Sequence, residues 1–392
     1  MRVAVLGGGY AGLMITRKLE ARLPPGDDLV LVDETGEHLI QHELHRTIRY
    51  PGFADDITVP LDDLVTRATV REATVTDLDP EAGTVALADG DEIDYDAGVV
   101  ALGSQTADYD IPGVTAYATP LKRLEHAAEL RRGFFDDVEP NGGTVAVVGA
   151  GLSGIQTAGE FAELAEREGV ADDVEVVLVE RAGTVAPSFP ENFRTTARNA
   201  LRDLGVRLET GTDVTAVTET DVVADDHAIP YDVLAWTGGI RGPDALDGER
   251  QGVRADLRLT DRTFVAGDAA DVVDADGERV PASAQAAVRS SPAVARNVER
   301  VLDAARAGDS VGHLEKWAFE TPGWLISVGD DAVAQLGPEV FRGTAANVIK
   351  TSVGLTYLAE HGSLRDAIEV VRDELGDDRV LPDLPDLRKR AP

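Results

Sequence analysis

The sequence contains no cysteine. Disulfides, thiolate metal sites, iron–sulfur clusters and redox-active thiol pairs are therefore excluded from every reading of the chain. Lysine is scarce too: of 37 basic residues only five are lysines, Lys18, Lys122, Lys316, Lys350 and Lys389. No uninterrupted apolar run reaches the ~20 residues that a membrane-spanning helix needs. No basic leader precedes the first apolar strand, so the expected location is the cytoplasm, free or on the inner face of the membrane. Positive charge is outnumbered, with 71 acidic residues and a formal net charge of −34. Nucleic acid is not an expected partner, because its phosphates would be repelled.

What is present is enough for a large folded core. A chain of 392 residues, 43% hydrophobic with 39 glycines and 19 prolines, divides that core between two or three domains. Its hydrophobic content is too high for a disordered polyanion, so the charge sits on a folded surface. Concentrated salt, with a Debye length of ~3 Å at 1 M, would screen the self-repulsion of such a surface. An ordinary acidic protein with a basic partner is the alternative.

The pattern along the chain begins with "RVAVLGG", a buried strand, then a helix over 10–22 and "DLVLVD", a second strand ending at Asp33. From 54 to 102 the period-two stretches "ATVREATVTDLD", "GTVALADG" and "DYDAGVVALG" read as a short antiparallel excursion and a return to a parallel strand. "DYDIPGV" at 108–114 reads as a linker. The order then restarts with a helix around 119–134, a strand at 144–148, a glycine turn, a long helix and "VEVVLVE" ending at Glu180. A hairpin-like region follows over 206–236. "DRTFVAGDAAD" at 261–271 looks like a further strand of the first sheet, so the second unit is inserted into the first. "GWLISVGDDAVAQL" reads as a hairpin, 343–360 and 363–375 as helical, and the tail from 376 as loose.

Two glycine turns carry the chemistry. Gly7, Gly9 and Gly12 have G-x-G-x-x-G spacing between a strand and a helix, and Asp33 ends the next strand 21 residues after Gly12. The glycines allow a tight turn, close approach of backbone to a pyrophosphate and close helix packing; the acid accepts ribose hydroxyls. Gly149, Gly151 and Gly154 repeat the arrangement, with Glu180 26 residues after Gly154. Glu180 repels a 2′-phosphate and favours NADH, whereas Arg181 beside it suits one, so NADPH stays open. Two cradles in one chain make sense if two dinucleotides must meet, since hydride transfer needs the two rings within ~3.5 Å. Periodicity puts Ile155, Ala158, Phe161, Ala162 and Ala165 on one helix face and leaves Glu160 either solvated or ligand-facing. His42, His45 and His126 show no convincing carboxylate partner in the sequence.

The motifs "VLGGGYAG" with Asp33, "YDAGVVALGS", "VVGAGLSG" with Glu180, "LAWTGG" and "TFVAGDAAD" occur together and in the order seen in flavoproteins with two dinucleotide-binding domains. Over nearly its full length the chain resembles that pyridine nucleotide-disulfide oxidoreductase-like group. The resemblance implies an α/β fold of two Rossmann-like (FAD/NAD(P)-binding) domains, the second inserted in the first, plus an α+β C-terminal extension. The implied limits are 1–112 with 245–320 for the FAD-binding domain, 113–244 for the NAD(P)H-binding domain and 321–392 for the extension. Gly7, Gly9, Tyr10, Ala11, Gly12, Asp33, Gly103, Gly267 and Asp268 would hold FAD, with Asp268 at the ribityl chain or pyrophosphate. Gly149, Gly151, Gly154, Glu180 and Gly238 would hold NADH. Capping of a helix is the alternative for Asp268.

With no cysteine, the disulfide-, peroxide- and sulfide-using branches are ruled out. "HLIQHELHRTIRYPGFADDITVPLDDL", "VPASAQAAVRSS" and "GWLISVGDDAVA" with "FRGTAANVIKTSVGLTYL" resemble the cysteine-free branch, the type II NADH:quinone oxidoreductases. That resemblance implies Gln285 beside the flavin ring and Glu160 near the nicotinamide as catalytic residues. A helix-cap or surface amide is the alternative for Gln285. Arg289 stands where a glutamine is common, and Leu102 where a threonine is usual. A quinone or other small acceptor is the implied partner, and no metal site is expected. A soluble ferredoxin or rubredoxin reductase, or a flavin-binding sensor without turnover, are the rival functions. A homodimer and peripheral membrane contact stay open. Ala346, Ile349, Val353 and Tyr357 share a helical spacing that suits core packing better than lipid. The acidic, lysine-poor composition resembles that of proteins from salt-loving archaea.

Overall fold

The computed structural model describes residues 1–225 and 227–350. The strand Arg2–Leu6 runs into a glycine turn and the helix Tyr10–Glu20, then returns as Asp28–Asp33. Both strands are almost fully apolar because the sheet is covered on both faces, by the helices Tyr10–Glu20 and Ala284–Ala307 and by the apolar side of residues 75–95. Five parallel strands form this first sheet, in the order Thr263–Val265, Ala97–Val100, Arg2–Leu6, Asp28–Asp33, Thr69–Glu72. The stretch 68–79, one alternating run in the sequence, is split between two sheets. Thr69–Glu72 joins the edge of the parallel sheet, and Val75–Asp79 starts an antiparallel three-stranded sheet with Thr84–Leu87 and Glu92–Asp94.

Between Val100 and Thr263 the chain builds a second sheet of the same kind. Its order is Thr119–Pro120, Val233–Trp236, Gly143–Val148, Val174–Glu180, Arg207–Thr210, all parallel. The chain thus leaves one parallel-sheet unit, completes another and comes back. The crossings are stitched to each other: Gln105–Thr106 pairs antiparallel with Ile240–Arg241. The helix Leu152–Glu168 follows the second glycine turn and stops at Gly169, whose φ of 76° is the left-handed conformation that ends helices. The helix expected around 119–134 starts only at Leu124 and runs past Gly133 into a wider π-helical turn, Phe134–Val138.

The C-terminal region is an antiparallel sheet of Gly323–Val328, Asp331–Leu336 and Glu339–Arg342. It lies on the helix Leu152–Glu168 so closely that a Cβ on Gly159 would come 2.5 Å from the Gly329 nitrogen. Residues 344–350 are helical, and Ala346 and Ile349 pack on Ala332 and Ala334, the core role expected for that face. Val353, Tyr357, the 363–375 helix and the tail from 376 lie outside the described residues.

One segment crosses from unit to unit. Residues 40–57 follow the first sheet's second strand in sequence, yet Ile40, Leu44, Ile48 and Ile57 pack in the second unit's core with Leu130, Phe134, Ile155 and Phe161. Arg131 donates from Nη1 to the Ile48 carbonyl at 2.7 Å and anchors that segment. This is a brace between the two units. Ile48 is completely buried, so Ile48→Ala is expected to lower unfolding free energy by about 2–5 kcal/mol. Denaturant titration in high salt measures it, and a change under about 1 kcal/mol would show the brace is not load-carrying for stability.

Candidate active site

The two glycine turns are built to one plan. Gly7 and Gly149 have φ of 101° and 98°, where a side chain is strained. A Cβ on Gly12 would stand 1.8 Å from the Gly7 carbonyl oxygen, and one on Gly154 would stand 1.8 Å from that of Gly149. The third glycine is therefore fixed by packing of helix on turn. Gly9 and Gly151 differ: among the described residues nothing lies within 4 Å of where their Cβ would be. Each is the N-cap of its helix, with no side-chain cap and no acidic residue in the first turn. Free N–H groups and the positive end of the helix dipole thus meet open space, which fits a pyrophosphate.

The strand-end acids match as well. Asp33 accepts the Gly8 N–H on Oδ2 at 2.7 Å and the Thr35 N–H on Oδ1 at 2.9 Å. Glu180 accepts the Ala150 N–H on Oε2 at 2.8 Å and the Ala182 N–H on Oε1 at 2.7 Å. Each acid is oriented by its own turn and retains lone pairs for hydroxyl donors. Tyr10 stands edge-on to His38 at 5.3 Å, and its hydroxyl shares a 2.5 Å hydrogen bond with His42 Nδ1. Ala11 is buried against Gly267, and Gly238 backs the second turn, its Cα 2.7 Å from where a Gly149 Cβ would be.

Asp268 sits in the short turn Gly267–Ala269 and accepts the Ser104 hydroxyl at 3.3 Å. Ser104, next to Gly103, in turn accepts a hydrogen bond from Lys122 Nζ at 3.1 Å, and Arg250 Nε donates to the Asp268 carbonyl at 2.8 Å. Burial lowers the pKa of the Lys122 ammonium, and Asp268 opposes that shift. The long helix Ala284–Ala307 is capped by Ser283, whose hydroxyl accepts the Ala286 N–H at 3.2 Å. Gln285 is not the cap. Its Nε2 donates to the Gly323 carbonyl at 3.3 Å and its Oε1 accepts the Thr321 hydroxyl at 2.7 Å, so it ties this helix to the C-terminal sheet. Arg289, one turn on, is exposed.

Glu160 is neither solvated nor turned toward open space: its side chain is 1% exposed. Arg49, from the bracing segment, places Nε 2.8 Å from Glu160 Oε2 but off the hydrogen-bonding line, so among the described residues no donor is aligned with either carboxylate oxygen. The same guanidinium reaches Asp330 at 2.7 Å and Glu163 at 3.6 Å. His45 Nε2 is 3.8 Å from Glu160 Oε1 and 3.4 Å from the Gln156 amide. His42 lies 3.7 Å from Glu43, which Lys350 approaches at 3.8 Å. Histidines that looked unpartnered in sequence thus have carboxylate neighbours, Glu160 coming from the other unit.

Burial raises the Glu160 pKa to about 7, against the opposing pull of Arg49, Arg46 and Lys350. Burial, reinforced by Lys350 and Arg46, pushes His45 down to about 3, so its ring is neutral. Burial resists ionisation of Glu43 too, but Lys350 above all brings it down to about 2. Sequence reasoning missed Lys122, Ser104, Arg250, Arg49 and Lys350. The available signal was lysine scarcity, since two of five lysines are here, together with the tight "HELH" spacing of Glu43 between two histidines.

Because its folded pKa is raised, Glu160 favours the fold most below pH 4.5, and that contribution is lost as pH rises through about 7. Removing Arg49 raises that pKa further and leaves a buried, unpaired charge at alkaline pH. Arg49→Met is therefore expected to lose roughly 3–5 kcal/mol at pH 8 and distinctly less at pH 5.5. Denaturation at the two pH values checks this; equal losses would contradict it.

The profile of the pyridine nucleotide-disulphide oxidoreductase family matches residues 1–291. A type II NADH:quinone oxidoreductase of Staphylococcus aureus is 28% identical, over 93% of this chain and 96% of that relative. A demethylphylloquinone reductase, NdbB, of Synechocystis is 31% identical, over 76% of this chain and 78% of the relative. In fold, the chain is similar to NDH2 of Plasmodium falciparum solved in complex with NADH, with a TM-score of 0.80, 14% identity and coverage of 95% and 97% of the two chains. Matched across most of its length, and repeating the same nucleotide turn in both parallel sheets, the chain belongs to the pyridine nucleotide-disulphide oxidoreductase family.

Proposed function

We propose that the chain is an FAD-dependent NADH dehydrogenase that passes electrons on to a quinone or similar small acceptor. The observation that carries this is the pair of equivalent turns, each with an open second glycine, an uncapped helix and an oriented acid. The relatives named for NADH:quinone and demethylphylloquinone reduction support the acceptor class. FAD, when bound, supplies a ring that accepts hydride from a nicotinamide and yields electrons to an acceptor.

The chain's own residues then have assignable work. Gly7, Gly9, Tyr10, Ala11 and Gly12 hold the FAD pyrophosphate by backbone N–H groups, and Asp33 holds the ribose hydroxyls. Gly103, Gly267 and Asp268 hold the middle of the cofactor, with Lys122 adding a cation beside it. Gly149, Gly151, Gly154 and Gly238 form the NADH turn. Glu180 disfavours a 2′-phosphate, and NADPH remains a coenzyme to be measured because Arg181 is exposed next to it. Gln285 positions the helix that begins at Ala284 through Thr321 and Gly323. Glu160, enclosed as it is, is a positioning residue that holds a proton near neutrality instead of a group touching the nicotinamide.

The domain limits are 1–112 with 245–320, 113–244 and 321–392, with 40–57 bracing the first to the second. Quinones reside in lipid, so the enzyme works from the cytoplasm against the inner membrane face. Among the described residues no helix is long and apolar enough to cross a membrane. Protein purified in molar salt with FAD is expected to be yellow, to bleach on anaerobic addition of NADH and to recolour with a soluble quinone. A colourless protein that FAD does not reconstitute, or a chromophore that neither NADH nor NADPH bleaches, would overturn the reading. Recolouring by ferredoxin or rubredoxin but by no quinone would replace the acceptor.

A further inference from the structure

The linker between the units holds a residue whose strained conformation is not offset by burial of its side chain. Tyr109 has φ of 54° and Asp110 has φ of 56°, a region that bulky residues seldom occupy. The side chain is 61% exposed, so burial of the ring does not compensate for the backbone. The neighbours are pinned. Ala107 donates its N–H to the Gly239 carbonyl at 3.1 Å and accepts Trp236 Nε1 at 2.8 Å, while Asp108 accepts the Asp110 N–H at 3.2 Å and the Thr115 hydroxyl at 3.0 Å. This holds the phenol over the 237–239 turn: a Cβ on Gly239 would lie 2.0 Å from its oxygen. Strain that the surroundings enforce without a packing reason points to function.

The position is specific. In the second sheet, Val233–Trp236 and Val174–Glu180 flank the central strand Gly143–Val148. A ligand in such a sheet lies in the crevice at the carboxyl ends of the strands, across the glycine turn. Glu180 marks the adenosine end of that crevice. The 237–239 turn is on the other side of Gly149 and carries the crossing strand that pairs with Gln105–Thr106. The nicotinamide end therefore lies under Tyr109.

We propose that Tyr109 is a substrate-contacting residue, its exposed ring packing against the nicotinamide half of the dinucleotide and excluding water from it. This rests on the reading that the second turn binds NADH. An aromatic face supplies a broad, stiff apolar contact at low entropic cost, and the ring lies with its hydroxyl end at Gly239 and much of its surface open to a ligand.

Tyr109→Gly and Tyr109→Phe test it in the FAD-loaded protein. Glycine accepts positive φ without strain, so Tyr109→Gly is expected to keep or raise the thermal midpoint and to leave the FAD spectrum unchanged. The KM for NADH, and the Kd for NAD+ followed by equilibrium dialysis, are expected to rise about tenfold, with a smaller change in kcat. Tyr109→Phe keeps the ring and is expected to recover most of that affinity. Wild-type KM and NAD+ affinity in Tyr109→Gly would overturn the proposal. Weakened affinity accompanied by a lower midpoint or an altered FAD spectrum would also overturn it, because the residue would then only hold the linker. If the wild-type protein binds neither NAD+ nor NADPH, it is the functional reading that falls, since the variant comparison presupposes it.

Discussion

The contact on which the arrangement depends is the buried guanidinium of Arg49, set among Glu160, Glu163 and Asp330. Its carrier segment belongs by sequence to the first nucleotide-binding unit, Glu160 and Glu163 to the helix that opens the second, and Asp330 to the C-terminal sheet. Two cofactor turns can serve one reaction only if their mutual distance is fixed to a fraction of an ångström. Interfaces between domains of one chain are ordinarily modest and permit motion. Here Ile40, Leu44, Ile48 and Ile57 make that interface part of a hydrophobic core, and the charged knot adds a second, polar tie. A buried ion pair adds little net stability, but breaking one is costly, and that asymmetry suits a joint that must not slip.

Charge is used differently at the surface and inside. Among the described residues the carboxylates other than Glu160 and Asp274 are at least partly exposed, where salt screens their repulsion. At the interior joint the few available cations are concentrated: Arg46, Arg49 and Lys350 surround Glu43 and Glu160. Burial and these cations act in opposite directions on the two carboxyls. Glu43, close to Lys350, is firmly ionised, whereas Glu160, with no aligned donor, is left near neutrality. His45 stays uncharged between them, chiefly because it is buried.

The nucleotide turns were legible in the sequence because their physics is local. Glycines at positions 7, 12, 149 and 154 answer to contacts within a dozen residues or to the adjacent strand. The return of 263–265 to the first sheet could be read from an apolar strand appearing after a completed unit, and the C-terminal hairpin from its alternation. Glu160 was not legible. Its periodicity places it off the helix's apolar face, and Arg49 and His45, arriving from distant sequence, are what stand against it. The split of 68–79 between two sheets was hidden for the same reason, since alternation reports exposure and not which neighbour a strand pairs with. Gln285 was located on the right helix, but Thr321, which engages its amide, lies 36 residues away.

Two turns of the same construction, held at a fixed separation, are expected to bind two dinucleotides in one chain. A crystal structure of the FAD-loaded protein with NAD+ tests this most directly. It should show two adenine dinucleotides per chain, one pyrophosphate over Gly9 with its ribose on Asp33 and one over Gly151 with its ribose on Glu180, and Arg49 still between Glu160 and Asp330. A single occupied turn at saturating NAD+, or a second dinucleotide bound away from Gly151, would contradict it.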